Sequence, residues 1–178
     1  MSKNTKKQIT CLTVSAMLCA LGVVILGLGA IIEVIDLSVS VIASLLVVYA
    51  VIEMGGIYPW MIWLVTSIVA FLLLPLKTPV LFYAMLAGFY PILKEKIEKR
   101  CTLLIGWVLK LGILVGSVGS IYAVSYFFIP QLLVGYNSLP YLLAFFALAL
   151  LCFVLYDVCL TRLITFYFVK LQKRLHLK

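Results

Sequence analysis

The sequence predicts an all-α integral membrane protein, a compact bundle of six transmembrane helices with both termini cytoplasmic. Three observations predict it. The 178 residues are 66% hydrophobic with a mean hydropathy of +1.26. A soluble domain is about 45–50% apolar, so lipid must cover the excess. Six apolar runs divide the chain. Finally, eleven of the fourteen Lys and Arg residues fall into three short clusters that flank those runs. These are Lys3, Lys6 and Lys7; Lys94, Lys96, Lys99 and Arg100; and Lys170, Lys173, Arg174 and Lys178. A six-span threading places all three clusters on one side, as the positive-inside rule requires. Six spans use roughly 120 residues at about 20 each, so residues 1–178 are read as a single membrane domain.

Span one covers about 9–32 and ends at Glu33 and Asp36. It is too long for the apolar region of a signal peptide, about 7–15 residues, and is read as a retained helix. Span two, 37–52, is closed by Glu53 and the Gly55–Gly56 pair. Span three, 57–74, carries Pro59 near its start, where proline is tolerated, and Trp60 and Trp63, which suit an interfacial belt. Pro75 to Pro79 forms a tight connection, because two prolines four apart break a regular helix. Span four, 80–93, is short, and Pro91 is expected to kink its last turn. The basic stretch Lys94–Arg100 follows. Span five is 101–128 and span six 141–162, joined by a loop with Pro130, Gly135, Asn137 and Pro140. Lys77 is the one basic residue on the outer side. The expected location is therefore the cytoplasmic membrane, multi-pass.

The net charge of +8 does not point to nucleic acid. The basic residues border apolar spans instead of forming a stripe on a soluble face. Membrane lipid is their plain partner. Five cysteines, Cys11, Cys19, Cys101, Cys152 and Cys159, form no CxxC pair and read as small apolar residues.

Two charges fall inside spans. Lys110 lies about 15 Å along its helix from Arg100 at 1.5 Å per residue, where a lone charge costs several kcal/mol. Asp157 lies five residues inward of Arg162 and approaches the same leaflet. Lys110 and Asp157 are read first as an intramembrane ion pair, with snorkelling of Lys110 to the interface and then a proton or ion relay as the alternatives. Exchanging the two charges tests the pair. Restored folding supports it, and damage equal to either single reversal rejects it.

Small residues recur at helical spacing at Ala16-xxx-Ala20, with Gly22 beyond, and at Gly112-xxx-Gly116, extended by Ser120. Such spacing lets helices approach closely, either inside the bundle or against a second membrane protein. The outer side collects Glu33, Asp36, Lys77, Thr78, Tyr83, Tyr126, Gln131, Tyr136 and Asn137. Glu33, Lys77, Tyr83, Tyr126, Gln131, Tyr136 and Asn137 are the candidate solute-binding residues. Tyrosine offers a flat face and a hydroxyl to a small organic ligand, although an interfacial belt has the same composition. No P-loop, HExxH, GxSxG or grouped metal ligands occur. The chain is accordingly read as no enzyme, with no metal or cofactor. The halves show no repeat of the kind that builds self-contained transporters.

With its length, six spans, cytoplasmic termini, basic connection after span four and Ala16-xxx-Ala20, the chain resembles the S component of energy-coupling factor transporters. The resemblance spans almost the whole chain. It implies capture of a vitamin or other small organic micronutrient from outside, in a pocket built from loops and second-half helices. It implies docking through Ala16 and Ala20 to a transmembrane coupling subunit, and two partner ATPases that supply ATP hydrolysis. A non-catalytic scaffold, such as a MreD-like cell-shape subunit, shares the size and helix count and is the alternative.

Overall fold

The computed structural model describes residues 3–32, 35–100, 103–128 and 139–167. The described residues form helices joined by short connections, without strands. The chain divides into two compact units, Met1–Ile121 and Tyr122–Lys178, each described by itself.

Helix α1 (Lys3–Ile31) begins before the apolar run. Lysine and glutamine are good helix formers, so the basic start joins the helix. Its hydroxyls return to carbonyls four residues back: Thr10 to Lys6, Thr13 to Ile9 and Ser15 to Cys11. That satisfies them without an outside partner. Helix α2 (Asp36–Glu53) has Asp36 in its first turn, where a carboxylate favours the helix dipole. It ends as the Gly55 N–H donates to the Ala50 carbonyl at 3.0 Å. Gly55 and Gly56 then turn the chain with φ of 60° and 62°, a left-handed conformation that disfavours any Cβ. Helix α3 (Tyr58–Leu73) follows with Pro59 in its first turn.

Side-chain register fixes how these helices run. Cys19 meets the Ile62 carbonyl, a Cβ on Gly22 would lie 3.0 Å from Thr66, and one on Gly27 would lie 3.4 Å from Leu74. Rising numbers pair with rising numbers, so α1 and α3 are parallel. The Ser15 hydroxyl oxygen lies 3.5 Å from the Met54 sulfur, while Gly29 packs on Val39. Those contacts run in opposite directions, so α2 is antiparallel to α1. The shared core is Leu26, Val39, Ala43, Val47, Ile62 and Ala70, with Val80, Tyr83 and Ile92 from the next segment.

That next segment departs from the expected fourth span. In place of one helix over 80–93 there is α4 (Thr78–Phe82), a widened turn over Tyr83–Ala87, and α5 (Tyr90–Arg100). The Gly88 N–H donates to the Tyr83 carbonyl at 2.7 Å, five residues back instead of four. Pro91 has no N–H to offer Ala87, so the α-helical ladder cannot cross this point. It stands in the first turn of α5, where proline is tolerated, and not in a kinked last turn. The basic stretch is itself helical. Pro79 accepts a 2.8 Å hydrogen bond from Ser40, Ala84 accepts one from the Trp63 indole, and Lys96 reaches Trp60. The segment therefore descends antiparallel to α3.

Helix α6 (Leu103–Phe128) buries one stripe, Gly106, Lys110, Leu114 and Ser117, among otherwise exposed positions. In the second unit, α7 (Leu139–Phe166) buries Phe153, Tyr156, Asp157 and Leu160, again one stripe at helical spacing. Each intramembrane charge expected from the sequence thus sits within the buried stripe of its own helix.

Among the described residues, three helical segments are long and apolar enough to cross a membrane: Gln8–Ile31, Asp36–Glu53 and Phe146–Phe166. Helix α3 has 16 residues, about 24 Å at 1.5 Å per residue, against about 30 Å of hydrocarbon.

Candidate functional site

The register of the first unit sorts its residues into two ends. One end gathers Ile32, Asp36, Leu74 and Thr78, joined through Ser40–Pro79 and Gly29–Val39. The other gathers the start of α1, the Gly55–Gly56 turn, Trp60 and the basic helix α5. Lys6 and the Lys94–Lys99 stretch therefore lie toward one end, as their shared side in the sequence reading requires.

At the first end, where a solute was expected, two candidate residues have structural work. Lys77 donates to the Phe71 and Leu74 carbonyls at the close of α3 and lies 5.0 Å from the Phe71 ring. An ammonium on the last carbonyls of a helix offsets the negative end of its dipole. Tyr83 is 1% exposed, inside the core and within the widened turn. The longer turn rotates it inward, so it packs between helices instead of facing outward. Glu33, Gln131, Tyr136 and Asn137 lie outside the described residues, as do Cys101 and the cluster Lys170–Lys178. Tyr126 lies within α6, and only its backbone is described.

Trp63, read as suiting an interfacial belt, is partly buried and also braces the widened turn. Its indole donates to the Ala84 carbonyl at 3.1 Å, and its ring meets Trp60 edge-on with centroids 5.7 Å apart. Gly88 lies so close that a Cβ there would fall 2.6 Å from the Trp63 ring.

The other end holds the densest charge. Lys94 is 1% exposed although it belongs to a basic cluster read as flanking the apolar spans. One carboxylate oxygen of Glu98 lies 3.6 Å from the Lys94 ammonium and 3.1 Å from that of Lys110. Glu98 therefore ties α5 to α6, with Trp107 5.6 Å from Lys110 on the far side. Lys99 pairs with Glu95 on the outer face. The sequence reading counted lysines and passed over Glu95 and Glu98. The signal available was the i,i+4 spacing 94/98 and 95/99, which aligns opposite charges on a helix. Lys110 is neither lipid-exposed nor alone. Asp157 belongs to the second unit, and its pairing with Lys110 rests on the sequence.

Helix α1 turns Ala16 and Ala20 outward, between exposed Met17, Leu21 and Val24. Gly22 faces inward against Thr66. Gly112 and Gly116 also lie on an exposed face, and a Cβ at either would meet no described atom within 4 Å. The small-residue patterns thus divide. Gly22 serves internal packing, and the other four positions do not among the described residues. In the second unit an open groove is lined by Cys159, Arg162, Leu163, Thr165 and Phe166. None of them is a candidate solute residue, and Arg162 belongs to the basic side of the sequence reading.

Comparison with known proteins finds no matching family model, no similar curated protein and no similar solved structure.

Proposed function

We propose that the chain is the substrate-capture subunit of an energy-coupling-factor-type importer for a vitamin or other small organic micronutrient. It acts as a multi-pass protein of the cytoplasmic membrane, a six-span bundle with both termini cytoplasmic. The observation that carries this reading is the outward face of α1, where Ala16 and Ala20 leave a shallow strip between larger apolar side chains. A strip of small residues lets a partner helix approach closely. The coupling subunit would dock there, and two ATPases would drive reorientation while this chain holds the solute. Glu33, Tyr126, Gln131, Tyr136 and Asn137 remain the residues proposed to meet the solute, with Lys77 and Tyr83 shaping the end that supports them.

Leucine at both Ala16 and Ala20 is expected to abolish co-purification of a coupling subunit and two ATPases from native membranes. Solute binding should persist, because neither side chain is in the core. Mass spectrometry of the mild-detergent eluate reads protein and small molecule together. Intact co-purification by the double variant counts against the docking role.

A second reading is a non-catalytic scaffold of the MreD-like kind. The burial of Tyr83 and the capping role of Lys77 favour it, since both remove candidates from a solute pocket. Recovery of cell-wall or cytoskeletal proteins without ATPases in the same eluate selects the scaffold.

A further inference from the structure

We infer that the α5 end of the first unit seats the headgroup of an anionic phospholipid, with the Lys96 ammonium on its phosphate and Trp60 as its platform. The inference uses the membrane placement of the chain and is independent of solute capture. Helix α5 is buried in its first half, at Tyr90, Ile92 and Lys94, and emerges in its second, where Lys96, Glu98 and Lys99 are exposed. Its two carboxylates are both directed at other lysines. Glu95 meets Lys99, and Glu98 meets Lys94 and Lys110. Lys96 instead stands 5.1 Å from the Trp60 ring centre. A ring face attracts an ammonium but neutralises none of its charge. With three donors and one side against the indole, the ammonium keeps N–H groups for an outside acceptor.

The surface beside it is suited to acyl chains. Ile57, Met61, Leu64 and Ile68 form an exposed apolar stripe along α3, starting next to Trp60. Tryptophan favours the depth of lipid headgroups, and a basic end attracts anionic ones. Charge above and an apolar stripe along the helix match a phospholipid better than free phosphate. Lys6 lies toward the same end and adds to the attraction.

The test is thermal melting of the full chain in neutral detergent, titrated with phosphatidylglycerol or with phosphatidylcholine of the same acyl chains. Phosphatidylglycerol should raise the midpoint by about 2–4 °C, and phosphatidylcholine should not. Lys96→Gln should remove most of that rise, whereas Lys99→Gln should keep it. An equal rise with phosphatidylcholine, or an undiminished rise in Lys96→Gln, overturns the proposal. An equal rise with inorganic phosphate alone also overturns it, because the site would then need no lipid. If Lys96→Gln does not fold, native mass spectrometry of the wild-type chain and Trp60→Leu reads retained lipid directly. Preferential retention of phosphatidylglycerol, lowered at least about twofold by Trp60→Leu, is expected. No preference between the two lipids overturns it.

Discussion

Alanine at position 88 is expected to lower the melting midpoint of the detergent-solubilised chain by about 5–10 °C, from overpacking of about 2–3 kcal/mol. The added methyl would lie 2.6 Å from Trp63 Cδ1, 2.9 Å from Tyr83 Cζ and 2.9 Å from the Tyr83 carbonyl oxygen. Neither ring can yield easily. Trp63 is held by its indole hydrogen bond to Ala84, by Trp60 and by Phe89. Tyr83 is enclosed in the core. The carbonyl is the acceptor that closes the widened turn. The control is Gly112→Ala on α6, where a Cβ meets no described atom within 4 Å. Removing a helical glycine there should be neutral or stabilise by up to about 1 kcal/mol. A Gly88→Ala protein that melts with the wild type would show that the contact between the turn and Trp63 is not tight.

Lysine in place of Glu98 is expected to cost about 3 kcal/mol, because the carboxylate, though itself 47% exposed, faces two ammoniums that are only 1% and 10% exposed. The substitution sets a third ammonium beside Lys94 and Lys110, whose charges Glu98 now faces at 3.6 and 3.1 Å. Glu98→Gln keeps the shape and some hydrogen bonding, so a smaller loss of about 1.5–3 kcal/mol should follow. Glu95→Gln is the comparison, because its partner Lys99 is 72% exposed. Exposed pairs contribute about 0–1 kcal/mol. Yield and melting midpoint across the three variants decide the point. If Glu98→Gln is as mild as Glu95→Gln, the shared carboxylate is not what holds α5 to α6.

The helices legible in the sequence are those whose ends are set locally. The apolar run of α1 stops at its polar border, and α2 ends at a glycine pair whose positive φ belongs to the turn itself. The fourth span was not legible, because its interruption depends on Trp63 filling the space beside Gly88. Pro91 signalled a break, but the widened turn lies N-terminal to it and carries Tyr83 into the core. Charge counting groups α5 with the start of α1, which lies toward the same end of the first unit, but hides what Lys94 does there. A lysine beside a glutamate one helical turn away reads as a solvated pair until a third helix closes over it. Of the candidate site, the outward turn of Ala16 and Ala20 is visible in the structure. The residues beyond position 128 that are proposed to meet a solute, Gln131, Tyr136 and Asn137, lie outside the described residues.

The uneven length of the helices bears on how such a chain holds together. Gln8–Ile31 and Asp36–Glu53 are each long and apolar enough to cross a membrane, and they pack together as an antiparallel hairpin. The 16 residues of α3 and the broken segment after it lack that length. They pack along a surface the hairpin offers: Cys19, Gly22 and Gly27 for α3, and Ser40 for Pro79. Damage to the inner faces of the first two helices would therefore remove the packing surface on which the shorter middle segments rest.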